Sequence, residues 1–405
     1  MASFKKIQAN NKQGYKWICI KDGPPDPVTG KRNQIERRGD TKKEAEARVD
    51  DVIASLMDGI NIKMIKNLPF NKVAENWMEV YSRSNVKKST IRNRKNSITL
   101  LNKFIGEQNI DKITHRAHQL ILNKLFDQGY SRSHMEGVHV TANLIYKYAT
   151  KEKFIKDNPA SGATIPIKTM TVEEIENNPI AEKYFEKSEL TELLEAVVKH
   201  GLPDDREMFY LMAFSGMRSG EMVALKETDF DFDFNKVRIT KTLYNPDNNA
   251  KQYELTPPKT KRSIRTVDLD PSIMNMIKER IKRQRKIRMS VMHFSPDYHD
   301  EKFLFCNEDG YPTIQKTVNR RLERIISKTT IRKKATSHIF RHTHISMLAE
   351  AGVDLPTIMQ RVGHDDPKTT LQIYTHVTDK MKQDAGEKVN LHFKDILPTS
   401  RVQEM

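Results

Sequence analysis

The sequence predicts a multidomain protein, mainly α with small β-sheets, on three observations. From Leu68 onward, apolar residues recur mostly at three- and four-residue steps, the period of helices with one buried face. Short alternating runs bounded by turn formers appear in two places only, residues 15–38 and 236–268, so any strands belong to small sheets. The chain of 405 residues is longer than one core usually serves, and two stretches without clear period interrupt it. The expected organisation is a small α+β domain over 1–58, a linker over 59–67 and a helical bundle over 68–160. A second linker over 161–183, a mixed α/β but mostly helical domain over 184–391 and a tail over 392–405 complete it.

Within the first domain, residues 15–20 alternate like a strand and residues 22–30 are dense in Gly, Pro and Asp. Residues 31–38 make a second, very basic strand. Thr41 with Glu44 has the capping-box spacing, and Ala45, Val49, Val52 and Ile53 line one face of the helix that follows. Such a hairpin is either a solvated basic ribbon or a sheet laid against DNA, with Lys31, Arg32, Arg37 and Arg38 touching phosphates.

The bundle opens with a stripe of Phe70, Val73, Ala74, Trp77, Met78 and Tyr81. Ser89 is expected to cap a second helix, 90–105, stopped by Gly106; further helices are expected over 114–127 and 133–153. Lys87, Lys88, Arg92, Arg94 and Lys95 crowd one stretch. A charged helix face is commonly just solvated, but this density favours contact with a DNA backbone. In the third domain Ser188 is expected to cap a helix over 189–200, a helix over 204–215 follows, and residues 236–242, 252–256 and 264–268 read as three strands.

Composition bears on partners. Lys and Arg number 69 against 53 Asp and Glu, a formal charge of +16, which favours a polyanion, though a merely basic soluble protein has the same balance. No apolar run approaches a membrane span, the first residues lack the apolar stretch of a signal peptide, and the two cysteines, Cys19 and Cys306, form no framework. A reducing cytoplasm fits.

The chemistry-bearing residues gather in the third domain. Arg218 lies in Ser-Gly-Met-Arg-Ser-Gly-Glu at a break between helices, where glycines allow close approach of a ligand and a guanidinium fork suits two phosphate oxygens. Lys259 lies in a basic turn between two strand candidates, where a lysine could donate a proton or simply be solvated. His338 and Arg341, three apart, share a helix face, while His342 is expected to point elsewhere. His342, His344 and His364 could also be metal ligands, although no acidic or cysteine partner lies at a familiar spacing. Gly363-His364 then leads to Tyr374 in Ile-Tyr-Thr-His; a lone helical tyrosine is ordinarily a core residue.

The order Arg, Lys, His-x-x-Arg, Gly-His, Tyr resembles the tyrosine recombinase family, especially the integrases of phages and conjugative elements. The resemblance implies six catalytic residues, Arg218, Lys259, His338, Arg341, His364 and Tyr374, with Glu221 orienting its neighbours. It extends to the first domain, where residues 29–32 and 38–47 are similar to an arm-binding domain with a three-stranded sheet that enters a DNA groove, and to the middle region, similar to a core-binding bundle. It further implies strand cleavage through a 3′-phosphotyrosine with no metal, ATP or other cofactor. The partners implied are double-stranded DNA at core and arm sites and four protomers on a four-way junction, with DNA-bending or directionality proteins as possible accessories and no membrane. Residues 389–393, partly apolar, are expected to dock on a neighbouring protomer. Three other readings stay open: a non-catalytic DNA-binding regulator, a type IB topoisomerase-like enzyme and a zinc hydrolase.

Overall fold

The computed structural model describes residues 2–11, 13–25, 32–57, 67–169, 183–258, 263–363, 367–368, 370–378 and 381. Lys31, Lys259, His364 and the expected tail lie outside the described residues. Two compact units divide the chain, Met1–Thr169 and Met170–Met405.

In the first unit, β1 (Ser3–Gln8), β2 (Tyr15–Gly23) and β3 (Asn33–Gly39) form an antiparallel sheet in that order. The helix α1 (Lys42–Met57) lays Ala45 and Val49 on Cys19 and Ile35, the face foreseen from its period. Its start is braced as the spacing predicts, with a shift of one residue. The Thr41 hydroxyl accepts from the Glu44 amide at 3.1 Å, but the Glu44 carboxylate reaches back to the amide of Asp40, at 2.7 Å. The strand β1 was not read from the residues themselves; the family resemblance implied it. Its six residues carry only two large apolar side chains, Phe4 and Ile7, three apart rather than alternating, too weak a pattern alone.

The same unit holds the bundle, α2 (Phe70–Ser82), α3 (Lys88–Ile105), α4 (His115–Asp127) and α5 (Arg132–Lys151). Phe70, Leu101, Leu125 and Ile145 are fully buried in one core, and each such side chain contributes about 1.5–3 kcal/mol. Thr114 and Ser131 cap α4 and α5 by accepting from Ala117 and His134 amides. Ser89 does not cap α3, which begins two residues before the expected Thr90, behind Lys87, with no side-chain cap. The first residues of the expected second linker belong to the bundle: Gln119 bonds both the amide and the carbonyl of Thr164, and Ile165 packs on the bundle core.

The second unit opens with α6 (Lys187–His200), whose capping box is Glu186 with Glu189 rather than a Ser188 cap. There follow α7 (Asp205–Ser215), the single turn α8 (Ser219–Met222), β4 (Phe230–Asp231), β5 (Lys236–Ile239), β6 (Thr242–Tyr244), β7 (Glu254–Thr256) and β8 (Arg265–Asp268). The expected strand over 236–242 is thus split: β5 pairs with β4 and β8, and β6 leaves to form a ribbon with β7. Four more helices follow: α9 (Pro271–Phe294), α10 (Gln315–Ile326), α11 (Ile339–Glu350) and α12 (Leu355–Val362); residues 370–378 are helical as well. The helix α7 is buried on nearly every side, and Phe209 stacks on Phe340 of α11 with ring centroids 5.6 Å apart. A smaller apolar cluster of Ile345, Ala349, Ile358, Val362, Ile373 and Val377 joins α11, α12 and the helical residues 370–378. Among the described residues no helix is long and apolar enough to cross a membrane.

Candidate active site

The site begins where α7 stops. Gly216 takes the left-handed conformation (φ 63°), which reverses the chain and lets its backbone sit against the ring of His344. Two residues later Arg218 caps α8, and Glu221, at the third position of that turn, returns its carboxylate to the Arg218 amide at 2.9 Å and to Nη1 at 3.0 Å. Glu221 is 2 % exposed. Burial alone would raise its pKa, yet the hydrogen bonds and charge of Arg265, with help from Arg218, bring its carboxyl below the usual range, so it is ionised.

Arg341, on the first turn of α11, is fully buried. A buried guanidinium is costly unless its donors are met. Its Nη1 donates to the Gly216 carbonyl at 2.9 Å and its Nη2 to the Val362 carbonyl. Burial, and then the neighbouring charge of Arg218, push its pKa down, while Glu221 opposes the shift. Arg218 in turn points Nη2 at the Gly363 carbonyl, 3.5 Å away. The two arginines, far apart in sequence, therefore meet at one place: the backbone of 362–363, immediately before His364. Arg218 keeps 37 % of its side chain exposed, so a donor face is available to a ligand.

His338 precedes α11 as its N-cap and is open to solvent on one side. Its partial burial, with Arg341 and Arg218 nearby, lowers its pKa, so the ring is neutral near pH 7. His342 does not point elsewhere: its ring stands perpendicular to that of His338 with centroids 4.6 Å apart, because residues four apart on a helix are neighbours. His344 is committed on both nitrogens. Arg361 Nε donates to its Nε2 at 3.0 Å, which leaves Nδ1–H to donate to the Ala213 carbonyl at 2.9 Å. Burial and Arg361 bring its pKa to about 4, consistent with a neutral ring. A ring so engaged has no lone pair for a metal, and among the described residues no cluster of His, Cys, Asp and Glu is arranged to hold one.

Tyr374 is half-buried and packs on the cluster that contains Val362, the residue whose carbonyl Arg341 holds. Neighbouring Ile373 and Val377 are buried in it, which fixes the helix carrying the phenol within the same unit as the arginines. The structure thus gathers Arg218, Glu221 and Arg341 around one loop, sets His338 close to the arginines, and packs Tyr374 on the apolar cluster to which Val362 of that loop belongs.

Arg265 was missed from sequence. It is 8 % exposed, and its Nη2 binds Glu221 at 2.9 Å. The signal was available: it shares strand parity with buried Val267, so a charge at that position required a buried partner.

The nucleic-acid candidates are placed less uniformly. Arg37 and Arg38 are on opposite faces of β3. Arg37 pairs across the ladder with Cys19 on the face covered by α1, whereas Arg38 pairs with Ile18 on the other face. Arg32 is exposed and bidentate on Asp22, both contacts 2.8 Å. Lys87, Lys88, Arg92 and Lys95 are exposed, but Arg94 is half-buried and donates to the Thr141 hydroxyl of α5 at 3.1 Å, a tie inside the bundle.

Two arginines thus meet at the 362–363 backbone, and the helix that carries Tyr374 packs against Val362 through Ile373 and Val377. The phage integrase family matches residues 183–381, and its N-terminal SAM-like domain matches residues 69–126. The probable integrase of prophage ps2 of Lactococcus lactis is 34% identical over 374 residues, covering 90% of this chain and 94% of that protein. The integrase of Staphylococcus phage L54a is 29% identical, over 84% of this chain and 98% of its own length. In fold the chain is similar to the Tn1549 transposon integrase, solved in complex with transposon right end DNA (TM-score 0.64, 17% identity, 79% of this chain and 99% of that one). It is also similar to lambda integrase, solved as a dimer bound to a core site (TM-score 0.55, 14% identity, 91% and 94%). The chain belongs to the phage integrase family. It is a tyrosine-type site-specific recombinase, of the kind that integrates or excises a mobile element.

Proposed function

We propose that Tyr374 is the nucleophile and that Arg218 and Arg341 clamp the scissile phosphate. The observation that carries this reading is the meeting of both guanidinium groups at the 362–363 backbone, beside the helix of Tyr374. A phosphodiester repels nucleophiles, and its transition state gathers charge on the nonbridging oxygens; preorganised donors there are each worth roughly 10²–10³ in rate. The Tyr374 oxygen bonds to phosphorus, the bond from phosphorus to the 5′-oxygen breaks, and a 3′-phosphotyrosine forms. The phenol proton passes to neutral His338 directly or through water. Lys259 supplies a proton to the departing 5′-oxygen, which leaves as a free hydroxyl, and His364 adds a hydrogen bond to the phosphate; both roles rest on the family's motif. The bond energy is conserved in the phosphotyrosine, so rejoining by the free 5′-hydroxyl needs no nucleotide. Glu221 holds Arg218 and does not react.

The DNA partner is double-stranded, with the bundle on core sites through Lys87, Lys88, Arg92 and Lys95, and the first domain on arm sites through Lys31, Arg32 and Arg38. Four protomers complete exchange through a four-way junction, as in the lambda integrase tetramer bound to a Holliday junction. Accessory bending or directionality proteins assist, and the reaction takes place in the cytoplasm. We divide the chain as set out from sequence, with the helical bundle extended to include Thr164 and Ile165.

The test mixes the full chain with a nicked duplex carrying the ends of its own mobile element, in EDTA. A covalent adduct on a denaturing gel, absent for Tyr374→Phe although that variant still binds the duplex, is the expected result. Adduct formation by Tyr374→Phe overturns the assignment of the nucleophile, and an adduct that needs a divalent metal overturns the proposed chemistry.

A further inference from the structure

We infer that Arg265 is a positioning residue for strand cleavage: one buried guanidinium that fastens together the α8 turn carrying Arg218, Ser263 and the 361–363 backbone on which Arg341 is anchored. The inference rests on the recombinase reading above. The side chain of Arg265 is 5 % exposed, too enclosed to touch DNA directly. Its donors are spent on three segments. Nη2 and Nη1 bind the two oxygens of Glu221 at 2.9 and 3.3 Å. Nη1 also donates to the Ser263 carbonyl at 3.1 Å, four residues after Lys259. Nε donates to the Arg361 carbonyl at 2.9 Å, three residues before His364. The Ser263 hydroxyl donates to the Gly363 carbonyl at 3.4 Å and closes the ring between two of those segments.

This arrangement solves a charge problem. Glu221 is buried and ionised, and with Arg218 as its only cation it would draw that guanidinium wholly onto itself. Arg265 shares the carboxylate, so that Arg218 gives it one side-chain nitrogen, Nη1, and keeps 37 % of its side chain exposed. It also sets the distance between the α8 turn and the 361–363 backbone, the place where Arg341 is anchored. A planar fork is needed for this, since no ammonium can meet one carboxylate and two carbonyls at fixed angles.

The test compares wild type, Arg265→Gln, Arg265→Lys, Glu221→Gln and the Arg265→Gln/Glu221→Gln pair on the nicked duplex. Protein is kept saturating, so that the first-order rate of adduct formation is read apart from DNA affinity. Arg265→Gln is expected to slow adduct formation about 100-fold, with DNA affinity kept within about threefold. The pair is expected to be no slower than the slower single variant, because both substitutions break one linkage. The adduct rate of Arg265→Gln should also gain an acid limb at higher pH than wild type, since Glu221 loses the cation that keeps it ionised. Arg265→Lys keeps the charge and loses the fork, and serves in place of the Gln variant if that one does not fold. A Lys variant at the wild-type rate, or multiplicative losses in the pair, overturns the inference. Failure of wild type to form any adduct would instead reject the recombinase mechanism on which it rests.

Discussion

Gly216→Ala measures how tightly the site is built. The residue has φ 63°, and a methyl group there would lie 2.6 Å from Cδ2 and 3.0 Å from Cγ of His344. Holding an alanine in the left-handed region costs about 1–2 kcal/mol. Forcing an atom into a packed interior adds about 1–3 kcal/mol. The ring cannot yield freely, since His344 is fastened to Ala213 at 2.9 Å and to Arg361 at 3.0 Å. The expected loss is thus about 2–5 kcal/mol. Gly352 provides the internal control: its φ is 78°, but nothing lies within 4 Å of the added methyl, so Gly352→Ala should show the backbone cost alone. At about 2–4 °C per kcal/mol for a unit of this size, Gly216→Ala should lower the melting temperature of the second unit by about 4–20 °C and Gly352→Ala by about 2–8 °C, with the Gly216 shift the larger of the two. Differential scanning calorimetry of the full chain reads both, with amide exchange assigning the transition. Equal shifts for the two variants would refute the claim that the α7–α8 turn is packed against His344 without slack. The Gly216 carbonyl also holds Arg341, so the same variant should cleave more slowly; adduct formation at the wild-type rate would refute that coupling.

Two other outcomes follow from the same physics. Arg341→Lys should lose roughly 10²–10³ in cleavage rate, since one ammonium cannot hold Gly216 and Val362 and still face a phosphate; single-turnover adduct formation checks it, and a loss under about tenfold contradicts it. In the bundle, His118 is fully buried beside His139, with 3.0 Å between ring nitrogens, and burial brings its pKa to about 4. The unfolded chain then binds the proton first as pH falls, so stability is full above about pH 6.5 and declines towards pH 4, by about 3 kcal/mol from this group. Urea midpoints between those pH values should fall for wild type and fall less for His118→Phe; identical slopes would contradict the burial argument.

Much of this protein was determined locally. The period of apolar residues located the helices, since a buried stripe is a property of neighbouring residues: Phe70, Val73, Ala74 and Trp77 were foreseen together and are buried together. Arg218, His338, Arg341 and Tyr374 were singled out by the order of a family motif, since each alone reads as well as a surface or core residue; their roles remain proposals. Helix starts at Ser89 and Ser188 were misjudged, because a hydroxyl at the right spacing competes with backbone geometry that only the packed helix settles. The opposite faces of Arg37 and Arg38 depended on register, which the ladder with β2 sets. Tertiary structure alone decided that Arg94 serves the bundle, that His344 is spent on Ala213 and Arg361, and that Arg265 binds Glu221. Such pairings join residues tens to more than a hundred positions apart. No local pattern encodes them, because a buried charge chooses its partner only when the chain has closed around it.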